Sequence, residues 1–475
     1  MARAILPRCS WEKIVQQSAQ ARNSRDEVAV SLRAGWGVGA LGVALLFNTY
    51  STLLIYYLTN IAGVAAGTAA VLLAIAKGYD WATDVPMGIL SDRTKSRFGR
   101  RRPWLLLGAF VCGGAFVMLF STPANAPILT KVVYVLGALL LFNTGYTLFN
   151  VPHLSMPAEM SNSYNERTAI MSFRAVAIVI GTFMVGGFAP MLADQFGGGI
   201  QGYAVVGWTL GIGAMVAMLA CFLGTAGARA TNHVPTRQGI RGQFRTAIRN
   251  AHFGKLAVFK MLTLLATGVA QGSVLFFITD ILGHPAGVMF YYGLGYASVS
   301  LISAPIWVRI SRAIGKHNAL IFATLGFMVF VMWWWIAPPG EPIELLVARA
   351  MVLSFFAMGK LLLGMSLLPD VQEYDYLKTG LRREGVFAGA YNMVEKTAFI
   401  LAPLVVGLIL QLLGYEATVD NIDVEQDPRA LTGIRVSIAA IPAACNLLAA
   451  LILLRWNLTR KRLTEMRAQR ASASA

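Results

Sequence analysis

Charge is scarce in this chain. Of 475 residues, 13 % are charged and 56 % are hydrophobic, whereas a soluble protein of this length carries about 25 % charge. That class is therefore excluded. Histidine is scarcer still, at five residues. No HExxH, no GxSxG and no usable Cys–His spacing is present, so no catalytic site is legible. The four cysteines, Cys9, Cys112, Cys221 and Cys445, are scattered in a way that fits neither a disulfide framework nor a metal spacing. Three lie in apolar segments and read as packing residues. The opening stretch MARAILPRCSWEKIVQQSAQARNSRDEV lacks the apolar core and small-residue cleavage site of a secretory signal. It reads as a cytoplasmic tail with room for a surface helix. Acid is also short, with 23 Asp and Glu against 40 Lys and Arg, a formal charge of +17. In a soluble chain such an excess would suggest nucleic acid. Here the basic residues fall in particular loops, which points to membrane topology instead.

What is abundant is apolar length. Runs of about 20 residues, enough to span a bilayer as a helix, recur from end to end. Twelve spans are expected near 35–58, 62–90, 104–123, 128–154, 171–193, 202–226, 256–280, 284–308, 319–337, 343–368, 385–413 and 431–455. The loops alternate in charge. SDRTKSRFGRRRP, ARATNHVPTRQGIRGQFRTAIRNAHFGK, SRAIGKHN, LKTGLRRE and the tail RWNLTRKRLTEMRAQR are basic, while YEATVDNIDVEQDP is acidic. Lys and Arg collect on the cytoplasmic side, so both termini are expected there, in a bacterial inner membrane. The expected organisation is a tail (1–34), a six-helix bundle (35–226), a basic cytoplasmic linker (227–255), a second six-helix bundle (256–455) and a basic tail (456–475). DRTKSRFGRR after the second span and RISRAIGKHN after the eighth form a faint internal repeat of the kind that transporter halves show. Small residues in GWGVGALG and MVGGF suit close packing between helices.

Against this background the ionisable residues inside the spans stand out. KGYDWATDVPMG (77–88) places Lys77, Asp80 and Asp84 at i, i+3 and i+7, on one helix face. Asp84 precedes Asp92, at the membrane edge, by roughly 12 Å of helix. A charge at that depth costs a few kcal/mol and normally faces an interior cavity. Arg174 lies in the fifth span, Lys360 in the tenth, and Glu395 and Lys396 side by side in the eleventh. Asn143, Tyr146, Thr147 and Asn150 form a polar stripe on the fourth span; Asn48, Thr52, Tyr56 and Thr59 form another on the first. Taken singly, such stripes also serve to glue helices together. Two carboxylates one turn apart repel, so one proton or one small cation between them is favoured. Oxygen ligands from Asp80, Asp84 and Thr147 would suit sodium, a hard cation. Basic neighbours compete for the same carboxylates, which couples cation entry to a rearranged lysine or arginine, reciprocally by linkage.

These residues also carry a resemblance. DWATDVPMGILSDRTKSRFGRRRPWLLLGA, VPHLSMPAEMSNSYNERTAIMSFR, PDVQEYDYLKTGLRREGVFAGAYNMVEKTA and GIRVSIAAIPAA resemble, in order, motifs of the glycoside–pentoside–hexuronide:cation symporters of the major facilitator superfamily. The resemblance implies an all-α polytopic fold of twelve transmembrane helices in two six-helix bundles. It implies cation-coupled uptake, by sodium or a proton, of a sugar, glycoside or sugar acid by alternating access, with no other cofactor. By motif position Asp80, Asp84 and Thr147 match the cation site, with Thr83 beside it in place of an asparagine. Lys77 stands where the family's galactoside carrier has an arginine. Arg174 and Lys396 match the basic residues that link the sugar and cation sites. Tyr146 and Asn150 match sugar-facing positions, and Asn48, Asn392 and Lys360 join them as expected substrate contacts. The acids that grip galactosides on helices one and four are absent: Ala44 and Asn150 stand there. Lys360 is additional, and its expected partners are an acidic sugar, the membrane edge or Glu395. Asp92, Arg93, Arg97, Arg101, Asp370, Glu373, Asp375 and Arg382 resemble a cytoplasmic gate, its basic and acidic sides meeting across the halves in the outward-open state. His153 reads as a polar residue at a helix end, with a proton relay as the alternative because imidazole titrates near neutrality.

Two rival readings stand beside this one: a transporter of amphiphiles such as lysolipids, and a non-transporting membrane sugar sensor. The expected partners are membrane lipid and the small-molecule substrate, with no nucleic acid and a monomeric chain.

Overall fold

The computed structural model describes residues 28–123, 126–161, 164–228, 250–379, 384–420 and 424–456, with 458, 464–466 and 468–469 beyond them. The opening tail, most of the basic linker and Arg382 lie outside the described residues. Within the described residues the apolar runs are helical, because a segment in hydrocarbon must pair its own backbone groups.

Eleven rods are long and apolar enough to cross a membrane. They are α1 (Val30–Ile61), α3 (Arg102–Leu119), α4 (Ile128–Met160), α5 (Ala169–Gln195, its helix beginning at Tyr164), α6 (Ile200–Gly224), α7 (Ala251–Ile281), α8 (Ala286–Ile314), α9 (Lys316–Trp334), α10 (Ile343–Met365), α11 (Glu384–Leu412) and α12 (Pro428–Leu454). The twelfth, α2 (Ala66–Arg93), spans 28 residues but is made less apolar by Lys77, Asp80 and Asp84. Several rods begin earlier than their apolar stretch. Polar contacts hold these ends, as where Arg33 of α1 meets Glu166 at 2.8 Å. α10 is followed by a short helix, Leu367–Thr379.

The rods form two halves, α1–α6 and α7–α12. In the first, α1 packs on α5 and α6, and α3 on α4 and α6; in the second, α8 packs on α10, and α7 on α11 and α12. Small residues set the α1–α6 approach. A Cβ on Gly35 would come within 2.9 Å of the Gly224 backbone. Across the halves, α2 meets α11, α1 meets α7 and α5 meets α8. Cys112, Cys221 and Cys445 are buried free thiols.

We call the end where Val30 begins α1 the near end, and the opposite one the far end. At the far end, α1 and α7 finish alike. Tyr56-Tyr57-Leu58-Thr59-Asn60-Ile61-Ala62-Gly63 corresponds to Phe276-Phe277-Ile278-Thr279-Asp280-Ile281-Leu282-Gly283. Each stretch holds a π-turn, Tyr57–Ile61 and Phe277–Ile281. Each ends on a glycine with φ near +70° (71° and 70°), which a side chain would strain. This repeat was present in the sequence and escaped sequence analysis.

A strap from the second half, residues 415–420, lies across that end. Val419 bridges Ala62 in antiparallel fashion. Thr418 N donates to Thr59 O at 3.1 Å and Asp420 N to Ile61 O at 3.1 Å. Tyr415 Oη lies 3.0 Å from Asn60 Oδ1 and 2.7 Å from Asp280 Oδ2, joining the two copies of the repeat. Burial, then the charge of Asp280, holds the Tyr415 phenol far above the usual range, so it stays a donor. The halves also cap each other's helices. Asp420 accepts from Ile200 N at 2.6 Å, at the start of α6, and Asp194 of α5 accepts from Gly287 N at 2.5 Å, at the start of α8. A carboxylate there satisfies an orphan amide and the helix dipole together.

Opposed residues of an antiparallel bridge stand about 4.5–5.5 Å apart between Cα atoms, within disulfide reach. The pair Ala62→Cys/Val419→Cys is expected to cross-link on mild oxidation, read by mass spectrometry of the joined peptides. An unlinked pair would place the strap elsewhere.

A carboxylate–lysine cluster as candidate functional site

α2 delivers its three ionisable groups to one place between the halves. Asp80 is 1 % exposed. Thr147 of α4 donates to its Oδ1 at 2.8 Å. Lys77 Nζ lies 3.6 Å from Oδ2, and Lys396 Nζ, from α11 of the other half, lies 3.3 Å from the same oxygen. Lys396 also binds Asp84 Oδ2. Asp84 Oδ1 is buried and takes no hydrogen bond from any described residue. Thr83 donates to the carbonyls of Tyr79 and Asp80 and lies 3.4 Å from the Thr147 hydroxyl. The site thus gathers carboxylate and hydroxyl oxygens around one ammonium. Two lysines lie beside the two carboxylates and offset their charge in a low-dielectric interior.

Lys77 is enclosed rather than open to substrate. Its Nζ sits 4.6 Å from the Tyr50 ring centroid, 5.0 Å from Tyr146 and 5.7 Å from Phe47, a cation–π cage. Tyr146 is buried against it. Asn48 spends its amide on Ala44 O at 2.8 Å and accepts from Thr182 at 3.4 Å. Asn143 and Asn150 are buried with Oδ1 unpaired among the described residues. Arg174 is half-buried on α5, within Coulombic reach of Tyr146 and His153, and joins no ion pair described here. Asn392 is exposed on α11, one turn toward the near end from Lys396.

Lys360 is a correction. It does not join the cluster, reach the membrane edge or pair with Glu395. Its Nζ bonds Asn446 Oδ1 of α12 at 2.8 Å and lies 3.3 Å from the Phe327 ring centroid of α9, so α10 turns it into its own half. Glu395 instead pairs with Lys260 of α7, Nζ to Oε2 2.8 Å. Lys260 was missed in sequence, along with Arg349, which pairs with Glu341 at 2.6 Å. Both could have been found as basic residues inside apolar runs.

The sequence profile of the family described as MFS/sugar transport protein matches residues 35–460. The chain belongs to that family. Among curated proteins it is similar to YagG of Escherichia coli K12, named as a glycoside/cation symporter, with 27 % identity over 86 % of this chain and 88 % of YagG. It is also similar to the glucuronide carrier protein homolog of the same organism, with 26 % identity over 91 % of this chain and 93 % of the relative. Among solved structures, a bacterial homolog of the human lysosomal transporter Spinster superposes with TM-score 0.63 at 13 % identity, covering 90 % of this chain and 98 % of that one. That likeness concerns the fold.

In this sugar-transport fold the near end is held differently from the far end, since the ion pairs described there stay within a half. Arg101 binds Asp92 at 2.6 Å and Glu159 at 2.7 Å, and Arg100 binds Glu159 at 2.8 Å. Asp370 binds Lys316 at 2.6 Å, and Asn250 donates to Asp375 at 3.4 Å. Arg93 and Arg97 are exposed, Arg97 resting over Phe98, and Glu373 is half-buried. His153 has a structural place. It stacks on Trp36 at 4.5 Å, and each ring nitrogen contact, His153 Nε2 with Trp36 O and Trp36 Nε1 with His153 O, is 2.9 Å.

Removing one partner of a buried ion cluster costs about 3–5 kcal/mol. Lys396→Met is therefore expected to lower the thermal unfolding midpoint in detergent markedly. Lys360→Met, which strands no carboxylate, should lower it less. Equal shifts would contradict the cluster's cohesion.

Proposed function

We propose that this protein is a cation-coupled symporter of a sugar, glycoside or sugar acid, working by alternating access in a bacterial inner membrane. The observation that carries the proposal is Lys396 of one half seated between Asp80 and Asp84 of the other. A cation entering among Asp80, Asp84, Thr147 and Thr83 competes directly with that ammonium. Coulomb attraction at these separations amounts to about 4 kcal/mol per pair at an effective dielectric of 20, so cation and lysine exclude one another. Displaced, Lys396 becomes available to cargo near Arg174, Tyr146, Asn150, Asn48 and Asn392. Cation and sugar then strengthen each other's binding by the same factor.

The near end carries the basic loops and is assigned to the cytoplasm, which puts both termini there. The far-end strap and cross-half caps close the outer side, while the gate residues pair within their halves on the inner side. We read this arrangement as inward-facing. The working units are taken as residues 35–226 and 256–455, joined by the 227–255 linker, in a monomer with no enzymatic step. Hydroxyl-rich cargo suits the amides and phenol of α1 and α4, which would be poor company for a lipid chain. Names of relatives support the same reading, one with glycoside and cation, another with glucuronide.

Uptake into proteoliposomes, with an imposed sodium or proton gradient, tests the proposal. The parent is expected to accumulate sugar above equilibrium under one gradient, and Asp80→Asn/Asp84→Asn to reach equilibrium at most. A double variant that still concentrates sugar as the parent does would overturn the coupling role of the aspartates.

A further inference from the structure

We propose that Glu395 is the hydroxyl-recognising carboxylate of the sugar site, contributed by the second half, and that Lys260 is its positioning residue. The inference rests on the symport reading above.

Carboxylates grip sugar hydroxyls through charge-assisted hydrogen bonds, and the first half has none to spare. Asp80 and Asp84 are occupied by Lys77 and Lys396. On α1 and α4, Ala44 and Asn150 stand where the resemblance places hydroxyl-gripping acids. Among the described residues around the cluster, Glu395 is the acid that remains. Its side chain is 48 % exposed, against 2 % for Asp80 and 27 % for Asp84.

Its helix, α11, packs on α2 of the other half. On α11, Asn392 and Glu395 lie one turn apart, as do Lys396 and Phe399, on adjoining sides of the helix. Lys396 binds α2. Phe399 meets Phe47 of α1 edge-on at 4.9 Å, sealing the face toward the far end. Asn392 and Glu395 lie on the near-end side of that seal. The charge of Glu395 also acts on Tyr146 of α4, in the other half.

Lys260 fixes the carboxylate without covering it. Its Nζ donates to Glu395 Oε2 at 2.8 Å and to Tyr391 O at 3.0 Å, and lies 3.3 Å from the Tyr391 ring centroid. Oε1 takes no bond from any described residue and is left as a free acceptor. The shared bonds hold the direction of the carboxylate before cargo arrives. Such preorganisation reduces the ordering cost of binding.

The test uses the full chain in proteoliposomes, with methyl glycosides of glucose, galactose, xylose and glucuronic acid as probes. Monodeoxy analogues of whichever probe the parent accumulates are then compared. Glu395→Gln is expected to raise the half-saturating concentration about ten- to a hundredfold, the loss falling on half-saturation rather than maximal rate. The parent should be penalised by one particular deoxy position to which Glu395→Gln is indifferent. Lys260→Met should weaken uptake in the same direction, with Lys260→Arg restoring part of it. If Glu395→Gln does not fold, Glu395→Asp, which keeps the charge but withdraws it by one methylene, should shift the deoxy profile instead. A parent that transports while its variants keep the parental half-saturation and deoxy profile overturns the Glu395 assignment and leaves the symport reading standing. A parent that accumulates none of the probes under either gradient takes down the symport reading, and the assignment with it.

Discussion

A carboxylate pair buried between two helix bundles cannot remain charged unless something cationic stays with it. Everything central to this structure follows from how that requirement is met. Lys77 answers from within α2, but its aromatic cage holds it in one place. Lys396 answers from the opposite bundle, so charge neutralisation and contact between the halves become the same event. A bond of this kind is strong while the site is dry and replaceable once another cation arrives. Hydrophobic contact could join the halves as firmly, yet no ion could undo it.

The two ends of the molecule use different chemistry. At the far end the halves are joined through backbone pairing, a shared phenol and carboxylates capping helices across the divide. Each such bond contributes about 0.5–1.5 kcal/mol net, so the closure is a sum of small terms that can be released together. At the near end the charges are kept within each half, as in Arg101 with Asp92 and Glu159. Those partly solvated pairs contribute little individually and do not bind the halves together.

Glu395 and Lys396 show how one helix serves both bundles. They are neighbours in sequence, yet one side chain turns to α7 of its own half and the other to α2 of the opposite half. Successive positions on a helix point in different directions, so a two-residue segment can report on both. Lys260 and Lys396 then occupy separate carboxylates, and the site contains no free competition between them.

The sequence by itself determined the membrane class, the rod pattern and the α2 face. Apolar length and helical spacing need no knowledge of neighbours, and so Lys77, Asp80 and Asp84 were legible as a group, with Thr147 and Lys396 drawn to them by motif. The tertiary structure alone decided where the other interior charges go. Lys360 lies inside an apolar run as Lys396 does, but the rotation of α10 turns it toward Asn446 and Phe327. Lys260 near the start of α7 drew no reading from the sequence, and only the packing of α7 on α11 places it beside Glu395. Depth is written along one helix, whereas partnership depends on which helices touch and how each is turned about its axis.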